Sequence, residues 1–256
     1  MTEIHNTAIV SDSAKIGQGV KIGPFSIIED DVEIGDNCEI QYGVTIANGA
    51  RIGDRVKIFP YAVISTAPQD LKFKGESTNV FIGDDTVIRE YATVNKGTVA
   101  TGKTQVGNNC LLMAYTHVAH DCIVGDNVII SNVTQLAGHV VIEDNVTLGG
   151  VVKVHQFCSV GKYAMVGADT KLVKDVPPFT LVGREPAKIQ GVNKIGLKRK
   201  GFSPTEIKEI DDFYNELLFS GMNNTNAILK IRDEYKSDNI KYCIDFIKKS
   251  NRGIYR

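Results

Sequence analysis

Four histidines, His117, His120, His139 and His155, are the residues of this chain best suited to chemistry, and they lie in one stretch with Asp121, Asn132, Gln135, Gly138 and Gln156. A neutral imidazole is a good general base because its ordinary pKa lies near neutrality. The backbone N–H of a glycine can donate to a developing oxyanion with no side chain in the way. Imidazoles in this number can also hold zinc, given three correctly directed nitrogens and an open position. A row of polar side chains can equally be a solvated or subunit-packing surface. Which of these applies depends on how the chain brings the residues together.

The positioning element is a six-residue repeat. Ile4, Val10, Ile16, Ile22 and their successors fall six apart to Ile64, and the phase resumes from Ile82 to Leu172 with only Ala100 weak. Gly often follows the aliphatic, as at Gly17, Gly35, Gly53, Gly107 and Gly125, and a small or β-branched residue stands four after it, as at Val20, Val32, Ala50 and Val128. Neither a helix nor a simple two-residue alternation has this period. A short strand and a tight turn do, with Gly relieving crowding or dihedral strain at the corner. Three hexads make a triangular coil, and coils stack at about 4.8 Å. Cys38, Cys110, Cys122 and Cys158 occupy the small inward position, where thiols act as small hydrophobes.

Folded at 18 residues per coil, His120, Gly138 and Gln156 share one column, with Gly102 beneath them. His139 lies one residue beyond that column and His155 one before it. The set is expected within about 10–15 Å along one edge of the prism.

The repeat is interrupted at 65–79, read as a loop protruding from the prism, and less strongly at 96–105. Pro177, Pro178 and Pro186 end the regular coils. Ser203, Pro204 and Glu206 form a helix start, followed by Ile207, Ile210, Phe213, Tyr214 and Leu217 on one face. Ala227, Ile228, Ile231 and Tyr235 predict a second helix, and Ile240, Cys243, Ile244 and Ile247 a third. The expected organisation is a β-solenoid over 1–190 and a small helical domain over 191–256 that covers its end.

Composition narrows the function classes. The 256 residues are 43% hydrophobic and 23% charged, which excludes a disordered or collagenous chain. A formal net charge of -1 gives no reason to expect nucleic-acid binding. No apolar run is long enough for a membrane span, so a cytoplasmic protein is expected. Five Cys without a CxxC pair make no disulfide framework.

The repeat resembles the hexapeptide-repeat, left-handed parallel β-helix, which implies left-handed crossovers and about ten coils. Six further motifs occur in order: APQDLKFKGE (67–76), HVAHDCIVG (117–125), LAGHV (136–140), VHQF (154–157), DVPPF (175–179) and GVNKIGLKRKGFS (191–203). With them the whole chain resembles the UDP-N-acetylglucosamine O-acyltransferases of lipid A synthesis. That resemblance implies transfer of an R-3-hydroxyacyl group from acyl carrier protein to the sugar 3-hydroxyl, without a cofactor or an acyl-enzyme. It also implies a homotrimer with clefts between subunits.

In this sequence His120 then matches the general base, Gly138 the oxyanion donor and Asp70 the acid that orients base or sugar. Gln69, Lys72, His117, His139, His155 and Gln156 match substrate contacts, and Asn193 and Arg199 match nucleotide-sugar and phosphate contacts. Ala168 matches the acyl-chain ruler, where one extra methyl over glycine implies a chain of roughly C12–C16. Lys194, Lys198, Arg199, Lys200, Lys248, Lys249 and Arg252 offer a basic surface for the acidic carrier. Ile195 departs from the family where some members place an acid against the glucosamine.

The rivals are four. The related N-acyltransferase normally carries a nucleotide-binding domain before its repeats, and here the repeat begins by Ile4. Repeat-class acetyltransferases use coenzyme A and do not explain the motif series. β-Helical carbonic anhydrases carry a three-histidine zinc site, but His117 and His120 are spaced three apart, unlike that family's ligand pair. A purely structural solenoid needs the repeat but not the histidine column, the Asp70 loop and Arg199 together.

Overall fold

A computed structural model describes residues 1–231 and 234–256. The chain winds through three sheets in turn, of eleven, nine and eight strands. The first sheet begins at Glu3–Ile4, the second at Ile9–Val10 and the third at Lys15–Ile16. Most strands are two residues long: one side chain points out, and the aliphatic that follows points in. Every repeat aliphatic from Ile22 onward is buried except Ala100, and together they form one continuous core. Burying each such Ile, Val or Leu contributes about 1.5–3 kcal/mol, which is what selects this winding over other compact arrangements.

The corner glycines have a steric cause. Gly17 and Gly35 have ordinary φ, but a Cβ on Gly17 would come within 2.6 Å of Asp36 Oδ1 on the next coil. That carboxylate accepts the Gln18 N–H at 2.7 Å, and the pattern recurs at Asp54 and Asp126. Crowding, not dihedral strain, therefore fixes glycine there. The dihedral strain falls on neighbouring residues such as Asn37, Asn109, Asn127 and Asn145, at φ 53–60°. Asn tolerates that left-handed region better than most residues.

Strand register explains how the hexad phase survives two interruptions. Most paired residues are 18 apart, but Ile52 pairs with Ile82 and Ile82 with Val106. The first step carries twelve extra residues and the second six, both whole hexads. The first insertion is the segment 67–78, between the strands Val63–Thr66 and Asn79–Ile82, so the strands claim both ends of the expected 65–79 loop. The second lies between Thr93–Asn95 and Lys103–Val106 and contains Ala100, which is exposed and not a repeat position. The count of 18 therefore fails beneath His120. Val118 pairs with Val94, which places Lys96 rather than Gly102 under His120. Gly102 instead closes the inserted turn at φ 73°, donating its N–H to Thr98 O at 2.8 Å.

At the far end Pro177 and Pro178 are followed by one more parallel strand, Thr180–Gly183, and an antiparallel one, Lys188–Val192, with Pro186 in the turn between them, a hairpin the repeat did not predict. Among the described residues four helices follow: α1 (Lys194–Arg199), α2 (Pro204–Phe219), α3 (Asn224–Ile231) and α4 (Asp238–Lys249). The capping box expected at Ser203 and Glu206 is complete, and Ile210, Phe213, Tyr214 and Leu217 are buried. Tyr235 lies beyond α3 and bonds Glu216 instead of extending the helix. These helices share a second core with Phe179 and Val192. The C-terminal tail then returns to the solenoid. Tyr255 Oη accepts the Val173 N–H at 2.7 Å and donates to Lys171 O at 3.3 Å, supplying the partners a further coil would have given. Among the described residues no helix is long and apolar enough to cross a membrane.

Candidate active site

The site forms where the second sheet turns into the third. His117 is the outward residue of the strand His117–Val118, and His120 occupies the turn that follows. Gly138 and Gln156 stack above His120 on the next two coils, and His155 precedes Gln156. The ladder His117, Gln135, Lys153 and Lys171 runs up the outward face of the second sheet, each residue paired to the next. Together with Gln69 from the inserted loop these residues line a groove of ≈ 540 Å³.

His120 is held by a buried acid. His120 Nδ1 lies 2.7 Å from Asp121 Oδ2, and the Asp121 side chain has no exposed surface. Burial pushes the Asp121 carboxyl up, but hydrogen bonds from Thr101, His120 and Thr98 outweigh it and hold the pKa at about 2. Asp121 is thus a carboxylate that can only accept, so Nδ1 carries the proton and Nε2 keeps a free lone pair. The second insertion supplies Thr98 and Thr101, which gives its six extra residues a purpose.

Gly138 is required by space. A Cβ there would lie 2.5 Å from His120 Cε1 and 2.7 Å from Nε2. The imidazole lies over the bare glycine, and the Gly138 N–H donates to no group among the described residues. His120 and Gly138 both line the same groove.

The other histidines are placed differently. His139 stands outside the groove lining, edge-on to His120 with centroids 5.2 Å apart and stacked on Phe157 at 4.5 Å. Burial, with the His120 imidazole nearby, lowers the His117 pKa and favours its neutral form. His117 Nδ1 bonds Thr93 Oγ1 at 2.7 Å, leaving its other nitrogen for a ligand.

His120, Asp121 and His139 bring three possible metal ligands within 4.8 Å of one another. Both Asp121 oxygens are already taken: Oδ1 accepts from Thr98 N and Thr101 Oγ1, and Oδ2 from Thr98 Oγ1 and His120. A carboxylate has about four acceptor sites, so a metal would have to displace these donors. The donor set fits a hydrogen-bonded acid–base pair.

Asp70 and Lys72 sit on the 67–78 loop outside the groove lining, with the Asp70 carboxylate accepting the Lys72 N–H at 2.9 Å. Asn193 caps α1, accepting the Gly196 N–H at 3.1 Å and donating to Tyr163 O at 3.0 Å. Arg199 is exposed in the last turn of α1. Neither lines the groove of its own chain. Ala168 is exposed at the turn into the strand Lys171–Leu172, on the opposite edge of the same sheet face.

Comparison with known proteins accounts for both halves of this arrangement. The family model described as Udp N-acetylglucosamine O-acyltransferase, Domain 2, matches residues 175–255, and the bacterial transferase hexapeptide model matches 13–48 and 103–134. An acyl-[acyl-carrier-protein]--UDP-N-acetylglucosamine O-acyltransferase from Thiobacillus denitrificans is 41% identical over 100% of both chains. The chain belongs to the UDP-N-acetylglucosamine O-acyltransferase family. Two solved acyltransferases of this name agree in three dimensions. The one from Bacteroides fragilis is 46% identical with a TM-score of 0.97, covering 99% of this chain and 100% of its own. The one from Francisella novicida is 42% identical with a TM-score of 0.96, covering 99% and 94%.

Within this O-acyltransferase framework three groups went unassigned in the sequence. Asp121 was noted only as a neighbour, although its position directly after His120 in a tight turn signals a hydrogen-bonded pair. Lys153 and Lys171 were not singled out at all. Their signal is the 18-residue spacing from His117 through Gln135, counted one residue before each inward aliphatic.

Proposed function

We propose that this protein transfers an R-3-hydroxyacyl chain from acyl carrier protein to the 3-hydroxyl of UDP-N-acetylglucosamine, the first step of lipid A biosynthesis. The observation that carries the reading is the His120–Asp121 pair, with the free Nε2 lying over the bare Gly138. In the proposed mechanism Nε2 takes the proton of the sugar 3-hydroxyl as its oxygen attacks the thioester carbonyl carbon. The oxyanion of the tetrahedral intermediate accepts from the Gly138 N–H. Collapse expels the carrier's thiolate, which takes the proton back from the imidazolium. Asp121 holds the productive tautomer and stabilises the imidazolium. A thioester is already activated, so no protein nucleophile is required. All five cysteines are buried, and burial raises the Cys38 and Cys110 thiols to about 11.

In this reading Gln69, His117, His155 and Gln156 contact the sugar and the acyl donor along the groove. His139 supports Asp121, and Asp70 and Lys72 close over the substrate from the loop. Asn193 and Arg199 reach the nucleotide of a neighbouring subunit's site in a homotrimer. The basic residues from Lys194 to Lys200, with Lys248, Lys249 and Arg252, receive the acidic carrier protein. We place the reaction in the cytoplasm.

The test is acyl transfer from 3-hydroxyacyl carrier proteins to UDP-N-acetylglucosamine and to its 3-deoxy analogue, read by product mass. An ester product with the first acceptor and none with the second is expected. Equal acylation of both would overturn the assigned acceptor hydroxyl.

A further inference from the structure

The segment 95–97 grips both ends of the inserted loop 67–78. Thr66, just before the loop, accepts the Lys96 N–H on its carbonyl at 3.1 Å and Asn95 Nδ2 on its hydroxyl at 3.0 Å. Thr78, the last residue of the loop, donates its hydroxyl to Gly97 O at 2.6 Å. The same peptide unit has a second partner. Its N–H, that of Thr98, donates to Asp121 Oδ1 at 3.0 Å. Carbonyl and N–H belong to one planar amide, so neither turns without the other. Thr78, Gly97, Thr98 and Asp121 are all buried within their own chain.

We propose that Thr78 is a positioning residue for acyl transfer: through the Gly97–Thr98 peptide, its hydroxyl aims an N–H at Asp121 and so steadies the His120–Asp121 pair. The inference rests on the acyl-transfer reading. Two effects act in the same direction. The hydroxyl fixes the rotation of the amide plane about the chain. Its donation to the carbonyl also polarises the amide, which strengthens the bond from the N–H to the carboxylate. Without the hydroxyl the plane can swing, and Asp121 loses an aligned donor on the oxygen that does not face His120. The carboxylate then holds Nδ1 less firmly. That loss falls on the orientation of the base in the transition state and not on substrate binding. The loop therefore has two separate tasks. Its Gln69 lines the groove, and its last residue supports the base from behind.

The experiment measures kcat, and KM for each substrate, in wild type, Thr78→Val, Thr78→Ala and Thr78→Ser, and repeats the first three in an Asp121→Asn background. Thr78→Val keeps the shape and loses the hydroxyl. Thr78→Ala loses it in a smaller side chain, so the idea is tested even if the buried valine folds poorly. Both are expected to lower kcat by about 3–10-fold, the worth of one hydrogen bond, with both KM values nearly unchanged. Thr78→Ser keeps the hydroxyl and should keep the wild-type kcat. In the Asp121→Asn background the same changes should cost little more, because the hydroxyl acts through the carboxylate. The His120 Nδ1 proton resonance should shift in the valine and alanine variants and stay in place in the serine variant. A raised KM at unchanged kcat, an equal loss in the serine variant, or full additivity with Asp121→Asn would each overturn the proposal. Failure of the reading beneath it looks different: wild type then transfers no acyl chain to UDP-N-acetylglucosamine, while the proton resonance still reports the Thr78 contact.

Discussion

His120 owes its geometry to residues on three different segments: Asp121 beside it, Thr98 and Thr101 from the inserted turn, and Gly138 above. Gly138 and Asp121 each make a separate prediction. Gly138→Ala puts a methyl group where the imidazole lies, so the ring must turn out of the groove. Activity should fall at least as far as general-base removal predicts, about 10²–10⁴, while the thermal midpoint moves little. Asp121→Asn keeps the shape but loses the charge that fixes the tautomer, so kcat should fall with little change in KM. The same carboxylate bears on acid stability. Its folded pKa, about 2, lies below the ordinary aspartate value. Its contribution is therefore complete above the unfolded value and is lost as pH falls from about 4 toward 2. Denaturant unfolding of wild type and Asp121→Asn should differ most at about pH 6 and converge at the acid end. A constant difference across that range would contradict the assignment.

The strand and turn were largely legible because the hexad is a strict local code: one outward residue, one inward aliphatic, then the corner. The two insertions were hidden by their own lengths. Because they add twelve and six residues, the aliphatic phase continued through Ala100, and only strand register identifies Lys96 beneath His120. The capping box at Ser203 was readable from four residues, and Ser203→Ala should cost about 1 kcal/mol in unfolding measurements. The terminal hairpin and the returning tail were not readable, since neither repeats anything. Tyr255 shows what the tail does. Its phenol pairs the exposed edge of the last strand of the second sheet, whose Lys171 lines the groove. Tyr255→Phe leaves the Val173 N–H and the Lys171 carbonyl without this partner. Hydrogen exchange at Val173 should then rise relative to wild type, while exchange in the helices α2 and α4 stays the same.

Across the whole chain the fold supplies a rigid wall on one side of the reaction and leaves the other side open. Asn193 and Arg199 lie outside their own groove, a placement that suits the proposed trimer with sites between its chains. Mixing His120→Ala chains with Arg199→Ala chains should then restore activity above either variant alone, because some clefts receive both intact residues. No recovery after verified subunit exchange would mean that each chain completes its own site. The basic C-terminal surface belongs to the same scale. Neutralising Lys198, Lys200, Lys248 and Lys249 together should raise KM for the carrier protein and leave that for the sugar nucleotide nearly unchanged. The central claim rests on one nitrogen, and its most direct test is the transfer rate of His120→Ala at saturating concentrations of both substrates. A rate lower by about 10²–10⁴, from a protein with the same unfolding midpoint and assembly as wild type, is predicted. A rate within a few-fold of wild type would contradict the account.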